Sequence, residues 1–412
     1  MRTHNPFISL TLSFGLLLAA CSKADSPAPE EEPEVNPSIF NFSPLEGVQG
    51  TLVTLNGKNF SVEAAENTVK FNGTMAVVNT ATENQLKVLV PTGASKGPIS
   101  VTVAGKTATS TEDFTIKPWR QLTNFIGTKR QLAMAHAYTG KIYVGLGNGD
   151  GNATFDDILE FDPATDTWKQ ETIYPGSGRF GVFSFIIGSK LYIGSGNSGE
   201  GTLSKDFWSY DINTKTWAEL TDLSFEPRQF SSSFVIDGKA YVYGGSNADS
   251  VSFGELWQFD PDTDTWSPMA GFENGRFAAA GFSYNNKGYV ALGVNDGTSF
   301  KDLWEFDPSQ GAEGIWSQKA DFPGPYLVHF SNFMINDTAY IGIGYNLESN
   351  GFSKGLWSYS FATDSWAEKT AFEGSGRLWP WAIGLNGKAY MGLGRQDQTY
   401  YADIWEYDPA ND

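Results

Sequence analysis

The sequence predicts an all-β protein: a closed ring of six four-stranded sheets preceded by a small sandwich. Three observations carry that prediction. Six tryptophans, Trp119, Trp168, Trp217, Trp266, Trp316 and Trp366, recur at spacings of 49, 49, 49, 50 and 50 residues. A fixed period of that length marks one supersecondary unit copied along the chain. Each copy holds short aromatic and β-branched stretches cut by turn residues, and none sustains a 3.6-residue period. Finally, the last copy stops at Asp412, before its tryptophan, while Pro118-Trp119-Arg120-Gln121-Leu122 stands unpaired upstream of the first copy. That strand is expected to complete the sixth sheet and close the ring, which removes open sheet edges.

Residues 179–217 show the grammar of one copy. An apolar run from Phe180 to Ile187 follows Arg179, and Gly188-Ser189-Lys190 turns it into Leu191-Tyr192-Ile193-Gly194. A polar loop leads to Asp206-Phe207-Trp208-Ser209-Tyr210-Asp211, and a second turn leads to Thr216-Trp217. Tyr143, Tyr192, Tyr241, Tyr289, Tyr340 and Tyr390 share one position, and Gly147, Gly196, Gly245, Gly293, Gly344 and Gly394 share another. This strongly resembles the kelch repeat, whose blades carry a glycine pair, a tyrosine and a spaced tryptophan. The resemblance covers residues 118–412 and implies a six-bladed β-propeller. Gly244-Gly245 is the one true doublet; the other copies keep only its second glycine.

The preceding unit, 37–116, alternates strand-like runs with Gly, Pro and Asn turns, as a small β-sandwich does. Its stretches Gly47 to Phe60 and Val90-Pro91-Thr92-Gly93-Ala94 closely resemble IPT/TIG domains, which have an immunoglobulin-like fold. In this context a spacer role is expected. The domain boundaries are therefore read as 1–20, 21–36, 37–116 and 117–412.

Composition narrows the partners. The 412 residues carry a net charge of −19 and show no basic run, which argues against nucleic acid as an electrostatic partner. Residues 1–20 read as a signal peptide: a basic start, then an apolar stretch from Phe7 to Ala20 too short for a typical membrane span. Leu18-Ala19-Ala20-Cys21 matches the bacterial lipobox, so Cys21 is expected to carry lipid and anchor the chain to a membrane. As the sole cysteine, it leaves no intrachain disulfide. Residues 21–36, rich in proline and glutamate, read as an extended tether. An outer-membrane lipoprotein exposed at the cell surface is the expected location.

Two constellations could carry chemistry. Arg130, Arg179, Arg228, Arg276 and Arg377 stand 13 residues before each marker tyrosine, and Asp157, Asp206, Glu255, Asp302 and Asp403 open the third strands. The fifth repeat lacks both, with Leu327 and Gly355 in their places. Joint loss in one repeat predicts intrablade ion pairs. The kelch resemblance adds that arginines at the start of this strand bind acidic ligands in some relatives, near the channel mouth.

The second constellation surrounds that irregular repeat. Tyr326, His329, Tyr345, Trp379, Arg395 and Tyr400 are the candidate ligand-binding residues, and the Leu327 and Gly355 replacements are expected to free space for a ligand. Aromatic faces suit sugar rings, so a carbohydrate or glycoconjugate is the first ligand class, with a partner protein second. No catalytic residue, metal site or cofactor is expected. His136 aligns with Phe185, Phe234, Phe282 and Phe333 and reads as a packed blade residue. The G-x-S-x-G match at 351–355 precedes a strand and lacks the strand–helix context of a nucleophile elbow. Asn148 to Asn152 lacks the later glycine and glutamate of a calcium loop. The leading expectation is a non-enzymatic binding protein; the alternatives are a protein–protein adhesion module or an enzyme like the six-bladed kelch sialic acid mutarotases, with the five repeat arginines holding a carboxylate sugar.

Overall fold

The computed structural model describes residues 36–199, 201–272 and 275–412. The expected signal peptide, Cys21 and all of the tether except Asn36 lie outside the described residues. Residues 38–116 form a β-sandwich in which the long strand Thr74–Thr82 joins two layers: its start pairs with Thr68–Phe71 and its end with Gln85–Leu89. Alternation along these strands buries Val53, Leu55, Val69, Phe71, Leu86, Val88, Ile99, Val101 and Phe114 completely, the period-2 pattern of a sheet with one buried face.

Six four-stranded antiparallel sheets follow. Their innermost strands are Met134–Tyr138, Phe183–Ile187, Ser232–Ile236, Ala280–Tyr284, Ser331–Ile335 and Trp381–Leu385. The sixth blade is built from both halves of the propeller sequence: Ile404–Tyr407 pairs antiparallel with Trp119–Leu122, with Tyr407 opposite Trp119 and Ile404 opposite Leu122. Trp119 is buried between Phe372 and Tyr407, at ring separations of 5.0 and 4.7 Å.

Five of the six period tryptophans are blade-to-blade latches; Trp266 Nε1 is buried without a partner, and Asp264 holds Thr221 in its place. Trp168 Nε1 donates to Thr123 O, Trp217 to Thr172 Oγ1, Trp316 to Ala270 O, Trp366 to Ala320 O and Trp119 to Thr370 O, at 2.6–3.3 Å. Each acceptor lies at the end of the preceding blade's outermost strand. The aspartate two residues before the tryptophan grips the same place: Asp166 accepts from Thr123 N and Asp364 from Ala320 N, while Asp412 accepts from Thr370 N in the blade that Trp119 closes. In the closing blade, Trp119 and Asp412 hold Thr370 from opposite ends of the propeller sequence.

Antiparallel pairing puts two sets of loops on one face of the ring. These are the connections entering each innermost strand and the long loops between second and third strands. Inside the innermost strands, Ala135, Ser184, Ser233, Gly281, Asn332 and Ala382 line a central channel of about 450 Å³. Small side chains here let six strands converge on one axis.

Candidate functional site

The five repeat arginines are buried structural clamps, at most 1% exposed. Each reaches the acid that opens its own third strand, with Nη2 2.8–3.0 Å from Asp157, Asp206, Glu255, Asp302 or Asp403. Nη1 also donates to the carbonyl sixteen residues on, at Leu146, Ser195, Gly244, Leu292 and Leu393 (2.9–3.2 Å). Aromatic rings cover the guanidinium faces: Phe155, Phe253, Phe300 and Tyr401 lie 4.0–4.2 Å from Arg130, Arg228, Arg276 and Arg377, favourable cation–π geometry. Burial raises the Asp403 carboxyl, but the Arg377 and Trp405 hydrogen bonds outweigh it and hold the group below its ordinary value.

The clamp acts where the first glycine of the doublet is missing. Leu146, Ser195, Leu292, Ile343 and Leu393 adopt left-handed φ of 53–60° where Gly244 stands in the third blade. Except in the fifth blade, each carbonyl there is bonded by the blade's own arginine. The glycine that follows is obligatory by contact: a Cβ on Gly147 or Gly394 would sit 2.5 Å from the carbonyl oxygen of Gln131 or Leu378. The acidic-ligand role suggested for these arginines is therefore corrected, because no ligand at the mouth reaches a side chain so completely enclosed. The expectation of freed space in the fifth blade is corrected as well. Leu327 is fully buried there, and a Cβ on Gly355 would lie 2.4 Å from the Trp357 indole. Leucine and indole fill what arginine and carboxylate occupy elsewhere.

The loop face carries a second feature. Leu132, Gly181, Phe230, Ala278, His329 and Trp379 hold equivalent positions where the chain enters each innermost strand, and all six have left-handed backbone, with φ from 49 to 65°. Adjacent members are joined through their backbones: Leu132 N to Trp379 O, Phe230 N to Gly181 O, Ala278 N to Phe230 O and Trp379 N to His329 O. This girdle rings the channel mouth. Left-handed φ in a bulky residue such as Trp379 costs on the order of 1–3 kcal/mol, and the blade geometry imposes it at all six positions. Leu132, Val182, Phe230, Phe330, Trp379 and Pro380 shape a recess of about 200 Å³ at this mouth.

Polar groups converge around Trp379, one of the residues that shape this recess. The His329 and Trp379 rings lie 4.0 Å apart, and the Arg395 guanidinium lies 5.7 Å from the Trp379 ring. His329 Nδ1, Trp379 Nε1 and Arg395 Nε are buried without a hydrogen-bond partner. Desolvation first, and the Arg395 cation second, push His329 down to about 4, so its imidazole is neutral at pH 7. Buried polar atoms left unpaired are costly, and each requires an explanation.

Comparison with known proteins matches this architecture. The family model described as the KLHDC2/KLHL20/DRC7 Kelch-repeats domain covers residues 133–341, just over half of the chain, and the IPT/TIG domain model covers 37–116. The chain belongs to the kelch-repeat family. A solved structure titled "Structure of YjhT" superposes on this kelch propeller with a TM-score of 0.58. It is 19% identical, and the match covers 69% of this chain and 95% of that one. At that identity the likeness concerns the fold. No curated protein matches the chain in sequence.

Within the kelch propeller the six candidate ligand-binding residues divide. His329, Trp379 and Arg395 come together at the mouth, and Tyr400 joins them as the cross-strand partner of Arg395, although its hydroxyl already donates to Gly149 O at 3.2 Å. Tyr345 stands opposite Val328, beside His329 in sequence, and donates to Asn350 Oδ1 at 2.6 Å. Tyr326 lies apart, 41% exposed under the Lys301 ammonium at 4.3 Å. Leu132, Phe230, Phe330 and Pro380 also shape the mouth and were not among the candidates. Their signal was the alignment with Gly181 and its neighbours, at positions where blades differ most. His136 lies in the channel wall, with Nε2 2.8 Å from Ser184 Oγ.

Proposed function

We propose that this protein is a non-enzymatic binding module whose propeller mouth takes a carbohydrate or glycoconjugate. The observation that carries the reading is the His329–Trp379–Arg395 cluster, in which an aromatic face and unpaired hydrogen-bonding atoms share a left-handed, strained rim. A sugar ring offers apolar C–H faces for Trp379 and hydroxyls for the polar atoms. The lipobox at Cys21 and the acidic tether support anchoring in the outer membrane, with the IPT/TIG sandwich as a spacer that lifts the propeller from the lipid. A glycan array probed with the full chain and with Trp379→Ala tests the binding reading. The wild type is expected to retain a defined set of glycans, and Trp379→Ala to lose at least roughly tenfold in affinity with its fold intact. Equal binding by Trp379→Ala would remove the site. Cys21→Ala is expected to abolish fatty-acyl labelling and membrane retention; persistent labelling would remove the anchor.

A further inference from the structure

We infer that Arg395 takes an anionic group, so that the preferred ligand is an acidic saccharide bearing a carboxylate or a sulfate. This deepens the carbohydrate reading and rests on it.

Seven arginines fall among the described residues, and six of them hold a carboxylate. Arg120 is paired with Glu406, and Arg130, Arg179, Arg228, Arg276 and Arg377 with the acids of their own blades. Arg395 is the exception among the described residues. Its short strand, Arg395–Gln396, pairs with Thr399–Tyr400, and Leu378 bonds its backbone from the other side. Backbone pairing thus fixes its place at the rim while its guanidinium meets no acid. The Nε is buried without an acceptor, and the guanidinium lies 5.7 Å from the Trp379 ring.

Supply of carboxylates does not explain this. Asp and Glu number 47 against 28 Lys and Arg, so an internal partner is the easily met condition, and the rest of the fold meets it. A partly buried cation with no acid beside it, and only an aromatic face at 5.7 Å, sacrifices hydration for little return within the fold. Residues of that kind belong to binding sites, where stability is given up for recognition. The planar guanidinium suits two ligand groups in particular, carboxylate and the sulfate oxygens, through paired N–H donors. The neighbours complete the specification. Trp379 and the apolar rim residues Phe330 and Pro380 suit a ring with an apolar face, while His329, neutral at pH 7, adds a hydrogen-bonding atom without a competing charge. An anion on a saccharide ring satisfies both halves at once.

A glycan array with each uronate-bearing and sulfated saccharide printed beside its neutral counterpart tests this, followed by titration calorimetry of the best pair. The acidic member is expected to bind roughly tenfold or more tightly, and less tightly as salt is raised. Arg395→Gln should erase the preference, and Arg395→Lys should restore part of it. The uronate and sulfate spots distinguish the two anions. Stability provides the readout that a merely structural arginine would move. With no partner to strand, Arg395→Met should leave the melting temperature unchanged or raise it. A clear loss of stability in Arg395→Met with glycan preference unaltered in Arg395→Gln would overturn the inference in favour of a packing role. Equal binding of neutral and acidic saccharides would overturn it while leaving the carbohydrate reading in place. An array with no bound glycan would remove both.

Discussion

Blade five is a natural double substitution, and it can be transplanted. In blade two, Arg179 is buried, donating to Ser177 O, Ser195 O and both oxygens of Asp206, under the Tyr174 ring at 5.0 Å. Arg179→Leu removes every one of these donors and leaves Asp206 with Trp208 Nε1 at 3.3 Å as its main remaining partner. Asp206→Gly strands a guanidinium in the interior. Breaking one side of a buried pair costs about 3–5 kcal/mol, so independent effects would sum to about 6–10 kcal/mol. The double variant copies Leu327 and Gly355, with Trp208 placed to do what Trp357 does in blade five. Its remaining penalty is two carbonyls short of a donor, about 1 kcal/mol each, plus imperfect leucine packing, or about 2–4 kcal/mol in all. The expected coupling energy is therefore about 2 kcal/mol or more, towards the upper end for contacting residues. All 13 tryptophans lie at or beyond Trp119, so tryptophan fluorescence in urea follows the propeller and not the sandwich. If the two single effects add to the double within about 0.5 kcal/mol, the clamp does not act as a unit and the reasoning fails.

Two further outcomes follow from the same geometry. Trp119→Ala deletes a buried indole and its bond to Thr370 O, and should cost about 3–5 kcal/mol by urea unfolding; a negligible change would refute closure by this strand. His136 is pushed down to about 4 by desolvation in the channel wall, from an ordinary 6.5. Its folded value is depressed, so the unfolded chain binds more protons between those values, and stability should fall as pH drops from about 6.5 towards 4. His136→Phe, the residue four other blades carry, should flatten that decline, and an unchanged pH–stability slope would contradict it.

What was legible in the sequence is what repeats. The latches recur because each blade must grip its predecessor, so Trp119, Trp168 and their equivalents keep one spacing. The clamps recur because each arginine ties the acid that opens its third strand to the carbonyl sixteen residues on, and the joint absence at Leu327 and Gly355 pointed to a pair before any distance was known. Absence does not report what replaces the missing groups, however. Leucine against an indole fills a blade as well as an ion pair does, and packing of that kind has no periodic signature.

The mouth was partly legible for the opposite reason. Its residues occupy one position in the fold but differ from blade to blade, so a repeat alignment presents Leu132, Phe230, Ala278, His329 and Trp379 as noise. Their common property is backbone conformation, a left-handed φ at all six positions, and only Gly181 advertises it by residue type. The fold demands an unfavourable backbone at each of these places, and five blades meet it without glycine. Where the backbone requirement is fixed and the side chains are free to vary, variation reports what the ring encloses. Aromatic and imidazole rings meet at adjacent blades, with the unpaired Arg395 beside them, and that asymmetry in an otherwise six-fold ring is what gives the mouth a direction for a ligand to recognise.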